Sequence, residues 1–363
     1  MKIRSIQSLR MLAALMVVFL HSLSVLFNAT RTVHPHIFRL EDTLNGGVDI
    51  FFVISGFIIT FSASQYLGAR ESLRFIKKRF IRINPVYYIA TLLILAVTLH
   101  WMEKNHVVLS SAAILKSILL LPVADRTQSP NYILPPAWTL GFEWLFYLFF
   151  ALAILLRTRN KQLFLITLCT ILVGLGYIMD SPDFRIRFLT NPIILEFLLG
   201  VIIYWYYSRR TPPAFVAAIL LVAGVTAYLY QAFKADIYLG NAAWIYDRSL
   251  SFERFLFRGI PAAFIFFGCV FLERKGFGLS LWNNRLVNFL GDASYSIYLI
   301  QYPVYGLLQG IATKLPPNTH PYLTSVLWGL IATGIGVLFY KVVERPLIKR
   351  LGTQKLRTVS APG

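Results

Sequence analysis

Charge and cysteine are what this 363-residue chain has least of. Only 14% of its residues are charged and only two are cysteines, where ordinary soluble domains carry about 25% charge. Cys169 and Cys269 both fall in apolar runs, which excludes a disulfide framework, a redox pair and a thiolate metal site. Nothing else suggests a metal. Acidic residues are scarce, 16 against 35 Lys and Arg, for a formal charge of +19. There is no low-complexity tract, no convincing internal repeat and no stretch that reads as a soluble second domain. What remains is apolar: 57% hydrophobic residues and a mean hydropathy of +0.63. Disorder, collagen and coiled coil are excluded, and the composition is that of an all-α, polytopic integral membrane protein.

Crossing ~30 Å of hydrocarbon takes about 20 apolar residues. Such stretches run at about 8–28, 47–66, 84–102, 138–156, 163–179, 191–207, 214–230, 259–272, 293–313 and 321–340. The span at 259–272 is short and has room to start earlier. A further run at 112–123 is about twelve residues long, which suits a re-entrant or interfacial segment. Charge decides between ten and eleven crossings. With the N-terminus inside and ten spans, the inner segments hold 23 of the 35 Lys and Arg and four of the 16 acidic residues, Glu71, Glu273, Asp292 and Glu344. The outer side then sums to zero. That is a strong positive-inside pattern. An eleventh crossing would put Arg157, Arg159, Lys161 and the basic tail outside. The expectation is therefore ten helices, both termini cytoplasmic, a membrane domain over 1–350 and a basic tail over 351–363. The net charge is topology, and no nucleic-acid partner is needed to explain it. The first span is too long for a signal-peptide core and lacks an Ala-x-Ala site.

Ionisable groups at membrane depth are functional candidates, because inserting one costs about 2.5–3.5 kcal/mol even on the mildest scale. The first span carries Arg10 and His21. Eleven residues separate them by ~16 Å along the axis and bring them within ~20° of one face. One extended ligand could thus touch both. A neutral imidazole suits proton abstraction from a hydroxyl. The bland alternatives are a snorkelling anchor for Arg10 and a helix–helix hydrogen bond for His21. Glu143, in the fourth span, sits ~8 Å below the outer edge, close to the depth of His21, and Glu196 in the sixth comes out similarly. Either carboxylate could orient the ring as the acid does in a triad. Glu143 has the richer surroundings, Trp138-Thr139-Leu140-Gly141-Phe142-Glu143-Trp144-Leu145-Phe146-Tyr147.

Asp49, in the Gly46-Gly47-Val48-Asp49 opening of the second span, reads either as a catalytic carboxylate or as a charge in the cap region of the helix. Ser55-Gly56 reads as packing, since no G-x-S-x-G elbow surrounds it. Between spans two and three lie Arg74, Lys77, Lys78, Arg79 and Arg82. Arginines three apart on a helix share a face and grip phosphate bidentately; inside positive charge or an anionic-lipid contact is the plainer account. The ninth span carries Tyr295, Tyr298, Gln301 and Tyr302 ahead of Pro303, a polar, kinkable wall or simple aromatic packing.

Four of these features fall in a familiar order: Arg10 with His21 in the first span, Gly47-Val48-Asp49-Ile50-Phe51-Phe52-Val53-Ile54-Ser55-Gly56-Phe57, Arg79-x-x-Arg82 leading into Ile83-Asn84-Pro85-Val86-Tyr87, and Trp138-Thr139-Leu140 with Glu143 and Tyr147. Tyr295-Ser296-Ile297-Tyr298-Leu299 fits as well. Over essentially all of 1–350 the chain resembles the family-3 membrane acyltransferases of bacteria, which decorate surface polysaccharides, lipopolysaccharide or small molecules with acyl groups. It looks most like the exopolysaccharide-modifying members. It departs at Met11, where the family usually has Gly, and no esterase-like domain follows the last span as it does in some relatives.

The resemblance implies a multi-pass protein of the bacterial inner (plasma) membrane. It also implies an acyl-CoA donor from the cytoplasm, acetyl-CoA first and succinyl-CoA open, and a saccharide acceptor on the outer side, as exopolysaccharide or lipid-linked oligosaccharide. Arg79 and Arg82 would hold CoA phosphates and Arg10 the pantetheine or phosphate portion. His21 would be general base or transient acyl carrier, steadied by Glu143, with Glu196, Trp138, Tyr147, Tyr298 and Gln301 around the acceptor or cavity. The rivals are a flippase or transporter of a lipid-linked saccharide or small molecule, for which the matching broken half-repeats are missing, and a membrane sensor or scaffold.

Overall fold

The computed structural model describes residues 3–30, 35–104, 111–122, 132–233, 246–278, 282–312, 314–315 and 320–353. Among these residues all regular structure is helical: α1 (Arg4–Thr30), α2 (Pro35–Ala63), α3 (Ala69–Lys104), α4 (Ser111–Ile118), α5 (Ala137–Leu155), α6 (Lys161–Met179), α7 (Phe184–Leu189) and α8 (Ile194–Tyr207). Then come α9 (Ala214–Phe233), α10 (Arg248–Arg254), α11 (Ile260–Arg274), α12 (Arg285–Ala312), α13 (Pro321–Phe339) and α14 (Arg345–Thr353). A π-helical turn, Phe255–Gly259, joins α10 to α11, and another, Tyr340–Glu344, joins α13 to α14.

Nine segments among the described residues are long and apolar enough to cross a membrane, so the chain is an all-α, multi-pass membrane protein. The expected ninth span, 293–313, is absent from those nine. Its helix α12 has 28 residues, ~42 Å of rise, and is long enough to cross. It carries polar residues that lower its apolarity, among them Ser294, Ser296 and Gln301, which are buried in the bundle and face protein rather than lipid. Other boundaries move too. The short span at 259–272 lengthens back to Arg248. α3 begins at Ala69, so Arg74 to Arg82 ride on a helix rather than a loop. α2 begins at Pro35, so Asp49 lies in mid-helix and caps nothing. The 112–123 run forms only the eight-residue α4, too short to cross. Residues 354–363 of the expected tail, and residues 105–110, 123–131 and 234–245 between the helices, lie outside the described residues.

The basic connections gather at one end of the bundle. Glu273, at the end of α11, accepts both the Arg4 and Ser5 amides at 2.8 Å. The Gly68 amide between α2 and α3 donates to Ile154 at the end of α5, and Lys161 donates to the Ser64 carbonyl. Arg274 reaches the Arg210 carbonyl between α8 and α9 at 3.2 Å. α1 packs most extensively on α12 and also on α2 and α13. The core is aromatic where α2, α5 and α8 meet, with Phe197 stacked 4.9 Å from Phe146 and tilted 4.7 Å from Phe52. There α2 and α8 touch backbone to backbone. A methyl at Gly56 would run into the Phe197 carbonyl and one at Gly200 into that of Val53, as in other small-residue helix contacts.

Candidate functional site

A cavity of about 620 Å³ opens between α1, α2, α3, α5 and α12 at the basic end. Five cationic side chains line it, Arg10, Arg79, Arg82, Arg345 and Lys349, against three acidic ones, Glu143, Asp292 and Glu344. Arg79 and Arg82, one turn apart on α3, bring their charge in from one side, and Arg10 on α1 from another. Arg10 and Arg82 are half-buried and electrostatically coupled, with Glu344, Asp292 and Glu143 as the nearby carboxylates. Among the described residues neither guanidinium has a carboxylate within ion-pair distance. Arg79 is held differently, over the rings of Phe75 (5.2 Å) and Tyr147 (5.6 Å), while donating to Ser62 Oγ at 2.7 Å. Two half-buried, like-charged guanidiniums facing a void are a costly arrangement that an anion would relieve.

The apolar end of the same cavity is walled by Phe51, Phe52, Tyr295 and Tyr298. Glu143 lies between, its Oε1 accepting from Ser55 Oγ (2.7 Å) and Tyr147 OH (2.5 Å). Glu344 accepts from Ser296 Oγ at 2.5 Å. Tyr298 OH is 3.0 Å from Thr139 Oγ1.

His21 stands beyond this wall and does not line the cavity. Its Nε2 is 2.8 Å from Tyr302 OH and its Nδ1 is 3.4 Å from Gln301 Oε1. The Gln301 amide nitrogen donates to the Tyr298 carbonyl at 2.9 Å, so its oxygen faces the ring. That assigns the proton to Nδ1 and leaves the Nε2 lone pair accepting from Tyr302. An imidazole in this tautomer has its basic nitrogen already aimed at a hydroxyl. The expected His21–Glu143 pair does not form. Glu143 rides on α5, which packs chiefly against α3 and α6, whereas His21 faces α12, and equal depth did not make them neighbours.

Asp49, Trp138 and Glu196 belong to a separate, buried cluster outside the cavity. Asp49 Oδ1 and Oδ2 accept from Arg254 Nε (2.8 Å) and a terminal nitrogen of the same guanidinium (2.9 Å). The Arg254 guanidinium also stacks 5.5 Å over the Trp138 ring. Arg258, on the π-helical turn, pairs with Asp42, and Glu196 is fully buried beside them. Asp49 is thus an ion-pair partner with no access to the cavity, and Glu196 is not beside His21. Of the residues expected around a site, the cavity gathers Arg10, Arg79, Arg82, Glu143, Tyr147 and Tyr298, while Gln301 serves His21. Sequence reasoning set Ser55 aside as packing, and no local signal marked its bond to Glu143. Tyr302 was visible as one more tyrosine on α12 but not as the partner of His21. Among the described residues no cluster of His, Cys, Asp and Glu could hold a metal.

A family model described as an acyltransferase domain matches residues 3–341. The exopolysaccharide production protein ExoZ of Rhizobium meliloti is 34% identical over 310 residues, covering 84% of this chain and 89% of that protein. The O-acetyltransferase OatA of Staphylococcus aureus is 23% identical over 326 residues, and the peptidoglycan O-acetyltransferase OatA of Listeria monocytogenes 24% over 339. The chain spans about half the length of these two, 52% and 51%. No solved structure matches it.

Proposed function

The chain belongs to the family-3 membrane acyltransferases, and from that premise we propose that it moves an acetyl group from cytoplasmic acetyl-CoA to a hydroxyl of a surface polysaccharide. The acceptor is exopolysaccharide or its lipid-linked precursor, a class favoured by the likeness to a protein named for exopolysaccharide production. The membrane is the bacterial inner membrane, with the basic end of the bundle in the cytoplasm by the positive-inside rule.

The observation that carries this reading is the pair of unpartnered guanidiniums, Arg10 and Arg82, facing a cavity with one charged and one aromatic end. Phosphates of the donor meet Arg10, Arg79 and Arg82 through charge-assisted hydrogen bonds, and the thinner pantetheine arm runs along Tyr295 and Tyr298 toward His21. The acceptor hydroxyl takes the place of Tyr302 OH at Nε2. His21 removes the proton as oxygen attacks the thioester carbon. The C–O bond forms, the C–S bond breaks, and the imidazolium proton returns to the departing thiolate, giving ester and free CoA. Gln301 holds the ring in the required tautomer. Glu143, fixed by Ser55 and Tyr147, balances the arginines and sets where the phosphates stop.

Purified protein in proteoliposomes with radiolabelled acetyl-CoA and extracted polysaccharide precursor tests this. Label transfer by wild type, cut about 10²-fold or more in His21→Ala, is the expected result. Undiminished transfer by His21→Ala sinks the mechanism, and acceptor movement without donor consumption sinks the activity.

A further inference from the structure

Beside the cavity mouth, at the same end of the bundle, lies a second recess of about 600 Å³. It shares Asp292, Tyr340 and Arg345 with the cavity, so the two adjoin across a common wall. Its own walls add Arg4 from the first turn of α1 and Arg285 from the first turn of α12, with Asn283, Asn288 and Phe289 between. Arg4, Arg285 and Arg345 have no ion-pair partner among the described residues. Glu273, the nearest candidate for Arg4, is occupied by the Arg4 and Ser5 backbone amides.

The polar and aromatic groups narrow what would bind here. Asn288 donates to the Trp282 and Asn284 carbonyls (2.6 and 2.9 Å), which fixes its amide. Its Oδ1 is buried with no hydrogen-bond partner. An amide held this way wants a donor, and an exocyclic amine of a purine is one that Asn commonly takes. The ring of Phe289 is set at 67° to Tyr340 with centroids 5.8 Å apart and carries the Lys341 ammonium 5.2 Å from its centroid; a base would stack on the opposite face. Three arginines around these groups suit a phosphomonoester, and Asp292 supplies an acceptor for a sugar hydroxyl.

Resting on the acyl-CoA reading, we propose that this recess binds the nucleotide end of the donor. Arg4, Arg285 and Arg345 would surround its 3′-phosphate, with the adenine between Phe289 and Asn288. The shared wall at Asp292, Tyr340 and Arg345 then hands the chain on to Arg10 and Arg82. Anionic phospholipid headgroups share the phosphate chemistry, and the test must separate the two.

The measurement is calorimetric binding of CoA, dephospho-CoA and adenosine 3′,5′-bisphosphate to full-length protein in nanodiscs, made either of phosphatidylcholine alone or with phosphatidylglycerol added. Wild type in the neutral discs is expected to prefer CoA over dephospho-CoA by about tenfold or more, the worth of a lost charged hydrogen bond, and to bind the bisphosphate alone. Arg285→Ala should bring the CoA to dephospho-CoA ratio near one, and Arg285→Lys should restore part of it. An unchanged ratio in Arg285→Ala and Arg4→Ala overturns the subsite while leaving the donor intact. So does a ratio of one in wild type. If the variants lose only a phosphatidylglycerol-dependent rise in thermal stability, the recess is a lipid site and the proposal falls. Bisphosphate binding without transfer from acetyl-CoA upholds the subsite and sinks the donor reading; no binding of CoA or bisphosphate sinks both.

Discussion

Asp49 and Arg254 offer the sharpest separation of structure from chemistry. Their side chains are 0% and 5% exposed and meet through two hydrogen bonds of 2.8 and 2.9 Å. Charge centres ~4 Å apart at an effective dielectric near 20 attract by ~4 kcal/mol. Removing one member of such a buried pair costs ~3–5 kcal/mol, because the other is left uncompensated. Asp49→Asn leaves Arg254 with Glu196 as its neighbouring carboxylate, so its loss should fall near the lower bound. Arg254→Met is worse, since it leaves Asp49 and Glu196 together without that cation. The double variant Asp49→Leu with Arg254→Met replaces the pair by apolar volume and should regain most of the stability, a coupling that a double-mutant cycle reads directly. The assay is unfolding of detergent-solubilised protein followed by tryptophan fluorescence, with Trp138 under Arg254 as a local reporter. Acetyl transfer per folded molecule is measured in parallel. A folded double variant that transfers at the wild-type rate fits a structural pair. A folded but inactive one would refute the reasoning and return Asp49 to the chemistry.

Arg82→Gln should act in opposite directions on the two measures. Removing one of two like charges relieves Arg10, so the unfolding midpoint rises, while donor affinity falls about 10- to 100-fold for a lost charge-assisted contact of ~1.5–3 kcal/mol; thermal melts and donor titrations on one preparation check both, and unchanged affinity would remove Arg82 from the donor site. Tyr302→Phe takes the hydroxyl from Nε2 but leaves the base and its tautomer. Initial rates should fall far less than the 10²- to 10⁴-fold expected for His21→Ala, and equal losses would mean that Tyr302 itself moves the proton.

The faces of single helices were legible and the partners across helices were not. Arg10 and His21 were placed on one face of α1 by counting steps of 100°, and Arg79 and Arg82 on one face of α3 by their spacing of three. Both arguments need only the geometry of one helix, and the second pair does line one cavity. Charge scarcity also carried information. Of the four acidic residues on the basic side, Glu273 accepts the first amides of α1. Asp292 and Glu344 line the cavity. In a segment set this rich in Lys and Arg, a lone carboxylate has work to do. What failed was the step from depth to contact. Glu143 and His21 came out level along the membrane normal, yet a bundle this size has several positions around its circumference at each depth. Only packing decides which are adjacent. The backbone contact at Gly56 and Gly200 clamps α2 to α8, and the bonds from Tyr305 to Val18 and from Ser22 to Ser325 seat α1 against α12 and α13. With α1 turned that way, His21 meets Gln301 and Tyr302, and Glu143 is left to Ser55 and Tyr147. The glycines and the small hydroxyls that fix these rotations are individually unremarkable in a chain with 22 glycines, so no single-helix pattern could have shown them.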